Sequence, residues 1–555
     1  MRARALVLAV VLLVAGCAQV PTSGPVVEVD QQVPEVGSTS FVRVLARPPR
    51  NGMSPTQIVQ GFLDAASGFE DDHAVAKMYL TPTAARQWNP SAGARVYGND
   101  TETLTAASDR DVTLTAARVA AISPRGQYVP APPDAVLNEA FGLVEQDGQW
   151  RIDSVPQGLL LSRAAVERSF REYQTYYVAE PGGILAPDPV LFVSSRSDVV
   201  EDLLRALLSG PGAWLRPAVG SGFPVGTTLN AVTVTEGVVQ VDLSSAAAAA
   251  DDLQRQQMSA QLVWTLRQVP SMRGVTITVD GQPFAVPGSE AVQARASWPQ
   301  FNPDGLPAGS PWYLVKDGEV LTMNTGTAAQ PVPGAAGVGD PVVRHPLVSL
   351  DASAIAATDQ AGRLLTTGTE ADARWRRART SGTSAGGSWD RTGLLWLPDP
   401  EVGVQVVNVL GTQKVPIRLT QVRSVQVSRD GSRAVVVAGP QDGAVAYLMR
   451  VDRTSGPPTL SAPRALATGP VVAAAWSSAT EVCLLVSQPD QPAQVAMVDL
   501  GLYSTRLLGG PPRARTVAAA PDRPVLSSTA DGQIWQFNGS TWTPLTAGRQ
   551  PRYPG

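Results

Sequence analysis

The chain has 555 residues, 44% of them apolar, which predicts about three domains of ordinary size, each able to bury a core. Its formal net charge is −4, and this argues against nucleic-acid binding, because phosphate backbones attract strongly basic surfaces. Two cysteines and two histidines are too few for a disulfide framework or a typical zinc site. We therefore expect no metal and no cofactor.

The first sixteen residues are typical of a secretory signal peptide. Arg2 and Arg4 make the start of the chain positively charged, and the apolar run 5–14 is too short to span a membrane comfortably. A segment of this kind directs a chain across the cytoplasmic membrane and is then removed. We therefore expect the mature protein on the extracytoplasmic face.

A lipobox ends this segment, and it consists of Val14, Ala15, Gly16 and Cys17. The small side chains let a peptidase bind the extended chain, and the thiol of Cys17 is the nucleophile that a diacylglyceryl group can alkylate. We predict cleavage after Gly16 and an N-palmitoyl, S-diacylglycerol group on Cys17. Because each buried CH₂ contributes about 0.8 kcal/mol, the acyl chains would hold the protein in the cell membrane, with lipid as its first partner. The alternative is an idle thiol in a signal peptide that is cut elsewhere.

Residues 17–50 are rich in proline and lack apolar periodicity, which predicts a lipidated tether. Residues 51–180 then predict an α+β domain. In it, Ser54-Pro55 begins a helix, a second helix lies near 74–79, and alternating strands turn at Asp147-Gly148. Residues 163–172 predict a connecting helix.

Residues 190–290 predict a compact α/β domain. It has a helix at 199–208, a hairpin over 231–243, a long helix at 251–269 and a strand at 275–279. Five consecutive alanines, 246–250, suit a helix by propensity, so we expect them to lead directly into the long helix.

Residues 305–550 lack helical periodicity and contain repeated β-rich runs. The runs start about 40 to 45 residues apart, which is the period of a four-stranded propeller blade. They begin at Leu350, Trp389, Val427, Trp476 and Ala520. We predict a β-propeller of about five or six blades, and a β-sandwich with accidental spacing is the alternative.

One short motif suggests nucleophilic catalysis, since Gly382, Ser384 and Gly386 match G-x-S-x-G. A nucleophile elbow needs a strand before the serine and a helix after it, whereas this motif lies in an Arg-rich and Gly/Ser-rich stretch. No histidine follows Ser384, because the two histidines of the chain are His73 and His345. We predict no catalytic residue.

An acidic run, Glu70, Asp71 and Asp72, precedes His73. It could form a metal site or an acid/base pair, but acidic residues are also favoured in the first turn of a helix by the helix dipole, and we expect the latter.

A basic cluster surrounds Trp375 and consists of Arg374, Arg376, Arg377 and Arg379. It could face anionic lipid or an acidic partner, but we expect a solvated loop of a blade. Cys483 lies in an apolar run, where we expect a buried, inert strand residue.

These elements, in this order, resemble the LpqB family of actinobacterial lipoproteins over nearly the whole chain. Residues 54–65 and the strand at 150–152 are similar to its NTF2-like N-terminal domain. The middle domain resembles the GerMN (sporulation and germination) domain, and the last domain resembles the LpqB propeller. The GerMN resemblance rests on residues 207–211, 223–227, 241–244 and 276–281, and the propeller resemblance on 389–396 and 427–433.

The resemblance implies an accessory protein of the MtrA/MtrB two-component system, acting outside the cell on the sensor histidine kinase in envelope homeostasis and cell division. It carries over no catalytic residues. The residues alone indicate a membrane-tethered, non-enzymatic, multidomain binding protein. A lipoprotein that binds cell-wall glycan or a small ligand without a kinase partner is the main alternative, and a propeller hydrolase is the weakest.

Overall fold

The computed structural model describes most of the chain after residue 45. The described residues are 46–69, 71–180, 183–194, 198–307, 309–378, 380, 382–408, 411–454, 456–466, 469–487 and 491–555. The predicted signal peptide, the lipobox with Cys17 and most of the predicted tether lie outside them, as do Glu70 and Arg379. No helix within these ranges is long and apolar enough to cross a membrane.

Three helices open the N-terminal region: α1 (Pro55–Ala66), α2 (Ala74–Lys77) and α3 (Pro82–Gln87). A capping box begins α1, because Gln57 N–H donates to Ser54 Oγ and Ser54 N–H donates to Gln57 Oε1. Its buried face includes Ile58 and Phe62. The sequence did not predict α3, since six residues are too few to show apolar periodicity.

These helices pack against a sheet with the strand order β6-β5-β3-β1-β7, and β2 and β4 also pair with β3. The β5–β6 turn is Asp147-Gly148, as predicted, with positive φ at both residues. The α+β class is therefore confirmed. The strands are β1 (Ala94–Tyr97), β2 (Thr103–Ser108), β3 (Asp111–Ile122), β4 (Tyr128–Pro130), β5 (Val136–Gln146), β6 (Gln149–Ser154) and β7 (Leu159–Ser162).

A short connection leads to the middle region. The helix α4 (Arg163–Ser169) is shorter than the predicted 163–172, because the chain enters β8 (Phe170–Ala179) directly. The aromatic residues of β8 favour an extended strand over a further helical turn. This strand pairs with β9 (Leu185–Val193) and β10 (Val219–Gly220).

The middle region has the predicted α/β pattern. Its sheet has the order β11-β12-β13-β14, with β15 on β13, and β12 runs parallel to β13 across a helix. The alanine run is a separate 3₁₀ turn, and the long helix begins only after Asp251, whose side chain caps it. The elements are α5 (Val199–Leu208), β11 (Leu229–Thr235), β12 (Val238–Leu243), α6 (Asp252–Leu266), β13 (Gly274–Val279), β14 (Gln282–Pro283) and β15 (Gln293–Ala294).

The C-terminal region forms six four-stranded antiparallel sheets from its described residues, so the predicted all-β propeller is confirmed with six blades. The first blade contains β16 (Trp312–Lys316), β17 (Glu319–Met323) and β18 (Gln330–Pro331). The second and third contain β19 (Val343–Val348), β20 (Ala354–Asp359), β21 (Leu364–Gly368), β22 (Arg376–Arg377), β23 (Ser388–Trp389), β24 (Leu395–Asp399), β25 (Gly403–Asn408) and β26 (Gly411–Val415).

The remaining blades follow the same order of strands. The fourth and fifth contain β27 (Val422–Val427), β28 (Arg433–Ala438), β29 (Val445–Asp452), β30 (Thr459–Ala465), β31 (Val471–Trp476), β32 (Glu481–Val486), β33 (Gln494–Asp499) and β34 (Thr505–Leu507). The sixth contains β35 (Ala514–Ala518), β36 (Leu526–Thr529), β37 (Gln533–Phe537) and β38 (Trp542–Ala547).

The last strand, β39 (Arg549–Arg552), pairs with β16 and completes the first blade. The first strands of the blades, β39, β19, β23, β27, β31 and β35, contact one another in this order and return to β39. We call these six strands the inner ring, because they surround the central channel of the propeller.

Candidate functional site

The inner ring carries charge of one sign. Its six strands contain five arginines and no aspartate or glutamate. The arginines are Arg344, Arg423, Arg515, Arg549 and Arg552. The whole chain is slightly acidic, so this excess of positive charge is local to the inner ring.

Irregular pairing exposes several of these side chains. The β27–β28 register shifts between Val422 and Ser424, and the β35–β36 register shifts between Ala514 and Thr516. The residue inside each shift, Arg423 or Arg515, therefore leaves the regular ladder and is exposed between less exposed neighbours. β31 has the same irregularity, and the Val472 side chain there is 45% exposed. All three residues lie near the start of their strands, at one end of the ring, which we call the mouth.

His345 lies on β19 beside the closing strand. It has a φ of 52°, and its backbone N–H donates to Gln550 Oε1 at 2.7 Å, while Gln550 Nε2 lies 3.0 Å from the imidazole Nδ1. Burial, followed by the charges of Arg552 and Arg344, lowers the pKa of His345 to about 4. The imidazole is therefore neutral at physiological pH.

Arg552 lies deeper, on β39. Its Nη1 is 3.4 Å from Gln426 Oε1, and it forms no ion pair among the described residues. Burial lowers the pKa of Arg552 to about 10, so the guanidinium still carries its charge at neutral pH. It lines a small cavity together with inner-ring residues of other blades, among them Gln426 and Ala475, so it faces the interior of the channel.

A second arginine, Arg429, lines the same cavity from the turn after β27. The cavity has a volume of about 20 Å³, which suffices for a single water-sized group. Arg429 Nη2 donates to Pro554 O at 3.1 Å, while its Nε is buried without a partner. Burial lowers the pKa of Arg429 to about 10, and the negative charge of Asp304 opposes this shift.

The far end of the ring lies against the segment that leads into the propeller. Asp304 Oδ1 accepts a hydrogen bond from Ala479 N at 2.7 Å, in the turn between β31 and β32. Gly305 lies close to Leu350 and Arg391, in the equivalent turns of the second and third blades. The segment therefore crosses the turn end of the ring, opposite the mouth.

The same side of the propeller contacts the two preceding regions. The rings of Tyr128 and Tyr503 stack with centroids 6.2 Å apart, and Arg163 Nη2 donates to Tyr503 O at 3.1 Å. Trp214 Nε1 donates to Ala462 O at 2.8 Å. These contacts involve the fourth and fifth blades and leave the mouth uncovered by them.

A larger open cleft of about 460 Å³ lies between the N-terminal sheet and α5, with Phe69, Phe170 and Phe192 among its lining residues. Two of its charged lining residues are already paired: Arg205 with Glu201 at 2.5 Å and Asp72 with Lys77 at 2.5 Å. In the channel, in contrast, Arg552 forms no ion pair among the described residues, so we take the channel as the candidate site.

Ser384 of the G-x-S-x-G motif has no exposed surface, and its Oγ lies 2.6 Å from Thr358 Oγ1. It serves as a packed structural hydroxyl between two blades. Cys483 is fully buried in β32, as expected, and burial raises the pKa of its thiol. Arg376 and Arg377 are exposed on the outer strand β22 and not in a loop, which corrects the expectation for them.

The acidic run differs from its expected place in a helix. Asp71, Asp72 and His73 form a 3₁₀ turn with positive φ at each residue, and α2 begins only after them. Aspartate tolerates this left-handed region better than most residues. His73 is buried with Phe69 and Trp88 edge-on against it, and no group of three metal-ligating side chains occurs among the described residues.

The sequence did not single out the channel arginines. They are separated by up to about two hundred residues, and only closure of the ring brings them together. One signal was available: an arginine follows a small apolar residue at the start of three first strands, as Val343-Arg344, Val422-Arg423 and Ala514-Arg515.

Three family models match the chain. They describe the lipoprotein LpqB N-terminal domain (residues 48–167), sporulation and spore germination (174–285) and the lipoprotein LpqB β-propeller domain (318–554). The crystal structure of TolB from Acinetobacter baumannii is similar with a TM-score of 0.36 and 12% identity, over 45% of this chain and 68% of that chain.

Two relatives match nearly the full length. Lipoprotein LpqB of Thermobifida fusca is 31% identical over 98% of this chain and 97% of its own. Lipoprotein LpqB of Streptomyces coelicolor is 30% identical over 98% of this chain and 96% of its own. With identity at this level along both entire chains, and with all three regions matched in order, this chain belongs to the lipoprotein LpqB family.

Proposed function

We propose that this chain is a lipid-anchored binding protein on the extracytoplasmic face of the cell membrane. In this proposal it is a non-enzymatic regulatory adaptor of the sensor histidine kinase of the MtrA/MtrB system. Cleavage follows Gly16, Cys17 carries the lipid, and the tether covers 17–50. The domains then span 51–180, 190–290 and 305–550.

The observation that carries the proposal is the free mouth of the propeller. The described contacts with the preceding regions lie at the turn end and along the fourth and fifth blades. The mouth therefore offers loops from all six blades to a partner, which is the usual way in which a propeller binds a macromolecule. The relatives are named lipoproteins, which supports anchoring to a membrane.

Anchoring makes a modest affinity sufficient. Two proteins confined to one membrane surface meet at a raised effective concentration, so the complex forms without a large buried interface. Exposed apolar side chains at the mouth would contribute to such a contact, and Val472 is 45% exposed there.

The test is crosslinking in cells between the full-length lipoprotein and the kinase ectodomain. Val472→Lys places a charge at the mouth, and we expect it to reduce crosslinking several-fold. Leu507→Lys is the matched control, because Leu507 is an exposed apolar residue, at 61%, on the outer strand of the same blade. Leu507→Lys should crosslink like the wild type.

Two outcomes would count against the proposal. Equal crosslinking by both variants would move the docking site away from the mouth. Failure of the wild type to crosslink would contradict the adaptor function and would favour the alternative, a lipoprotein that binds cell-wall glycan or a small ligand without a kinase partner.

A further inference from the structure

The central channel contains a charge that no carboxylate within the described ranges pairs with. Arg552 lies inside the ring, with Gln426 Oε1 at 3.4 Å as its polar contact and no ion pair among the residues that the structure describes. Burying a guanidinium without a counter-ion is unfavourable, because the charge loses hydration that no carboxylate replaces. A site of this kind favours the entry of an anion.

The groups around Arg552 are held in fixed positions. Gln426 Nε2 donates to Gly386 O at 3.0 Å and to Gly387 O at 2.9 Å, which directs Gln426 Oε1 towards Arg552. This contact fixes one edge of the guanidinium, and the fork keeps further N–H donors for a ligand. Pre-organised donors bind an oxyanion without an added cost in side-chain entropy.

His345 supplies a neutral donor beside this charge. Its pKa is lowered to about 4, so it carries one N–H at physiological pH. Gln550 Nε2 lies 3.0 Å from Nδ1 and 3.3 Å from Nε2 of the imidazole. When this amide donates to the nearer Nδ1, the imidazole proton lies on Nε2, which is then the nitrogen that could donate to a ligand. Arg344 precedes His345 on the same strand and lies closer to the mouth.

The mouth attracts anions towards the interior. Arg344, Arg423, Arg515 and Arg549 are exposed near the starts of inner-ring strands. Of these four, Arg549 has a carboxylate neighbour, Asp531, whose pKa it helps to lower. Like charges around a cleft with low-dielectric walls focus the field into it and raise the local concentration of the opposite ion.

The arginine fork selects the chemistry of the ligand. A planar guanidinium binds carboxylate or phosphate through two parallel hydrogen bonds, and a monatomic ion lacks the second oxygen. The cavity beyond Arg552, about 20 Å³ in volume, has room for little more than a water-sized group. The body of the ligand must therefore remain outside this cavity.

We propose that the central channel binds a small ligand through a carboxylate or phosphate group, which Arg552 receives with His345 as a second donor and the exposed arginines of the mouth as the guiding charges. This site does not depend on the kinase partnership proposed above. It gives the propeller a ligand to sense in addition to a surface for docking.

Calorimetric titration of the purified full-length lipoprotein tests the site, with inorganic phosphate and succinate as probes and sodium chloride at equal ionic strength as the reference. We expect at least one probe to bind and chloride not to replace it. Arg552→Gln should weaken binding by about ten- to a hundredfold, the value of hydrogen bonds to a charged group. The control, Arg506→Gln on the outer strand β34, removes a side chain that is 66% exposed and should bind like the wild type.

A second variant, Arg515→Gln, tests the site even if Arg552→Gln does not fold. Arg515→Gln is exposed at the mouth and should weaken binding several-fold at low salt, with a smaller effect at high salt. Binding of phosphate would indicate a ligand with a phosphate group, and binding of succinate would indicate a ligand with a carboxylate group. Equal binding by Arg552→Gln and the wild type, binding equalled by chloride, or no binding of either probe would overturn the proposal. Kinase crosslinking by Arg552→Gln reports separately on the adaptor function.

Discussion

Glu172 and Asp499 bring two carboxyl groups together where β8 meets the fifth blade. Burial, followed by the charge of Asp499, raises the pKa of Glu172 from 4.5 to about 9, and Gln174 Nε2 donates to Glu172 Oε1 at 2.5 Å. The folded protein therefore keeps a proton on Glu172 at neutral pH, so that the Glu172 carboxyl is uncharged beside Asp499.

This proton makes stability depend on pH. Between about pH 4.5 and pH 9 the folded state binds a proton that the unfolded state has lost, so the free energy of unfolding falls as the pH rises through this range. Glu172→Gln mimics the protonated form and should lack this dependence. At pH 8 we expect it to be more stable than the wild type by about 1 to 3 kcal/mol.

Thermal unfolding of the full chain at pH 5, 7 and 9 measures the effect. Glu145→Gln, on an exposed hairpin of the N-terminal sheet, controls for the loss of a carboxylate and should follow the wild-type curve. A wild type whose melting temperature does not change over this range, or a Glu172→Gln variant that is less stable at pH 8, would contradict the assignment.

A single substitution at Cys17 tests whether this residue carries the lipid. The only other cysteine of the chain, Cys483, is fully buried, so it cannot replace Cys17 as the lipid acceptor. Cys17→Ala should therefore leave a precursor without lipid. Metabolic labelling with a clickable palmitate analogue checks this, with Cys483→Ala as the matched control that keeps its label, and label on Cys17→Ala would refute the lipobox.

Helices and strands were predicted correctly from the sequence where a pattern of neighbouring residues marks them. The runs that start at Leu350, Trp389, Val427, Trp476 and Ala520 all lie at or just after the end of an inner-ring strand. The repeat therefore revealed five blades through one recurring local pattern. The first blade did not show it, because its inner strand lies at 549–552, far from β16 in the sequence.

Short or competing elements were harder to predict. The ten residues of β8 follow a helix without a breaking residue, and the 3₁₀ turn at Asp71–His73 depends on left-handed backbone that the residue types permit but do not require. Three of the channel arginines share a local pattern, an arginine after a small apolar residue at the start of a strand, but this pattern does not show that they lie together. Their common place in one ring is visible only from the tertiary structure.

Removal of the closing strand β39 should destabilise the propeller. A chain that ends at residue 548 loses the pairing with β16 and the contacts with β19 and β35. We expect its propeller to lose cooperative unfolding and to become sensitive to protease, because an opened ring exposes strand edges and apolar cores. Replacement of Gln330 and Pro331, in the exposed outer strand β18, by glycine should have a much smaller effect. A truncated chain that melts like the wild type would contradict this role.

In the whole molecule, the segment at 302–307 and the contacts of Tyr128, Arg163 and Trp214 tie the preceding regions to one side of the propeller. In the hydrogen bonds among these contacts, the donor and the acceptor belong to regions that are far apart in the sequence. A fragment without the propeller would therefore expose aromatic rings and leave polar groups unpaired, which makes point variants better tools than truncations for locating the docking site.

The pairing of β39 with β16 joins segments separated by the whole propeller sequence. A pairing between segments so far apart in the sequence must overcome a large loop-closure entropy. Arg552 enters the channel only with this pairing, so no partly assembled propeller presents the complete set of anion donors. The binding site is therefore complete only when the ring is closed. Binding of the ligand would then indicate that the propeller is fully assembled.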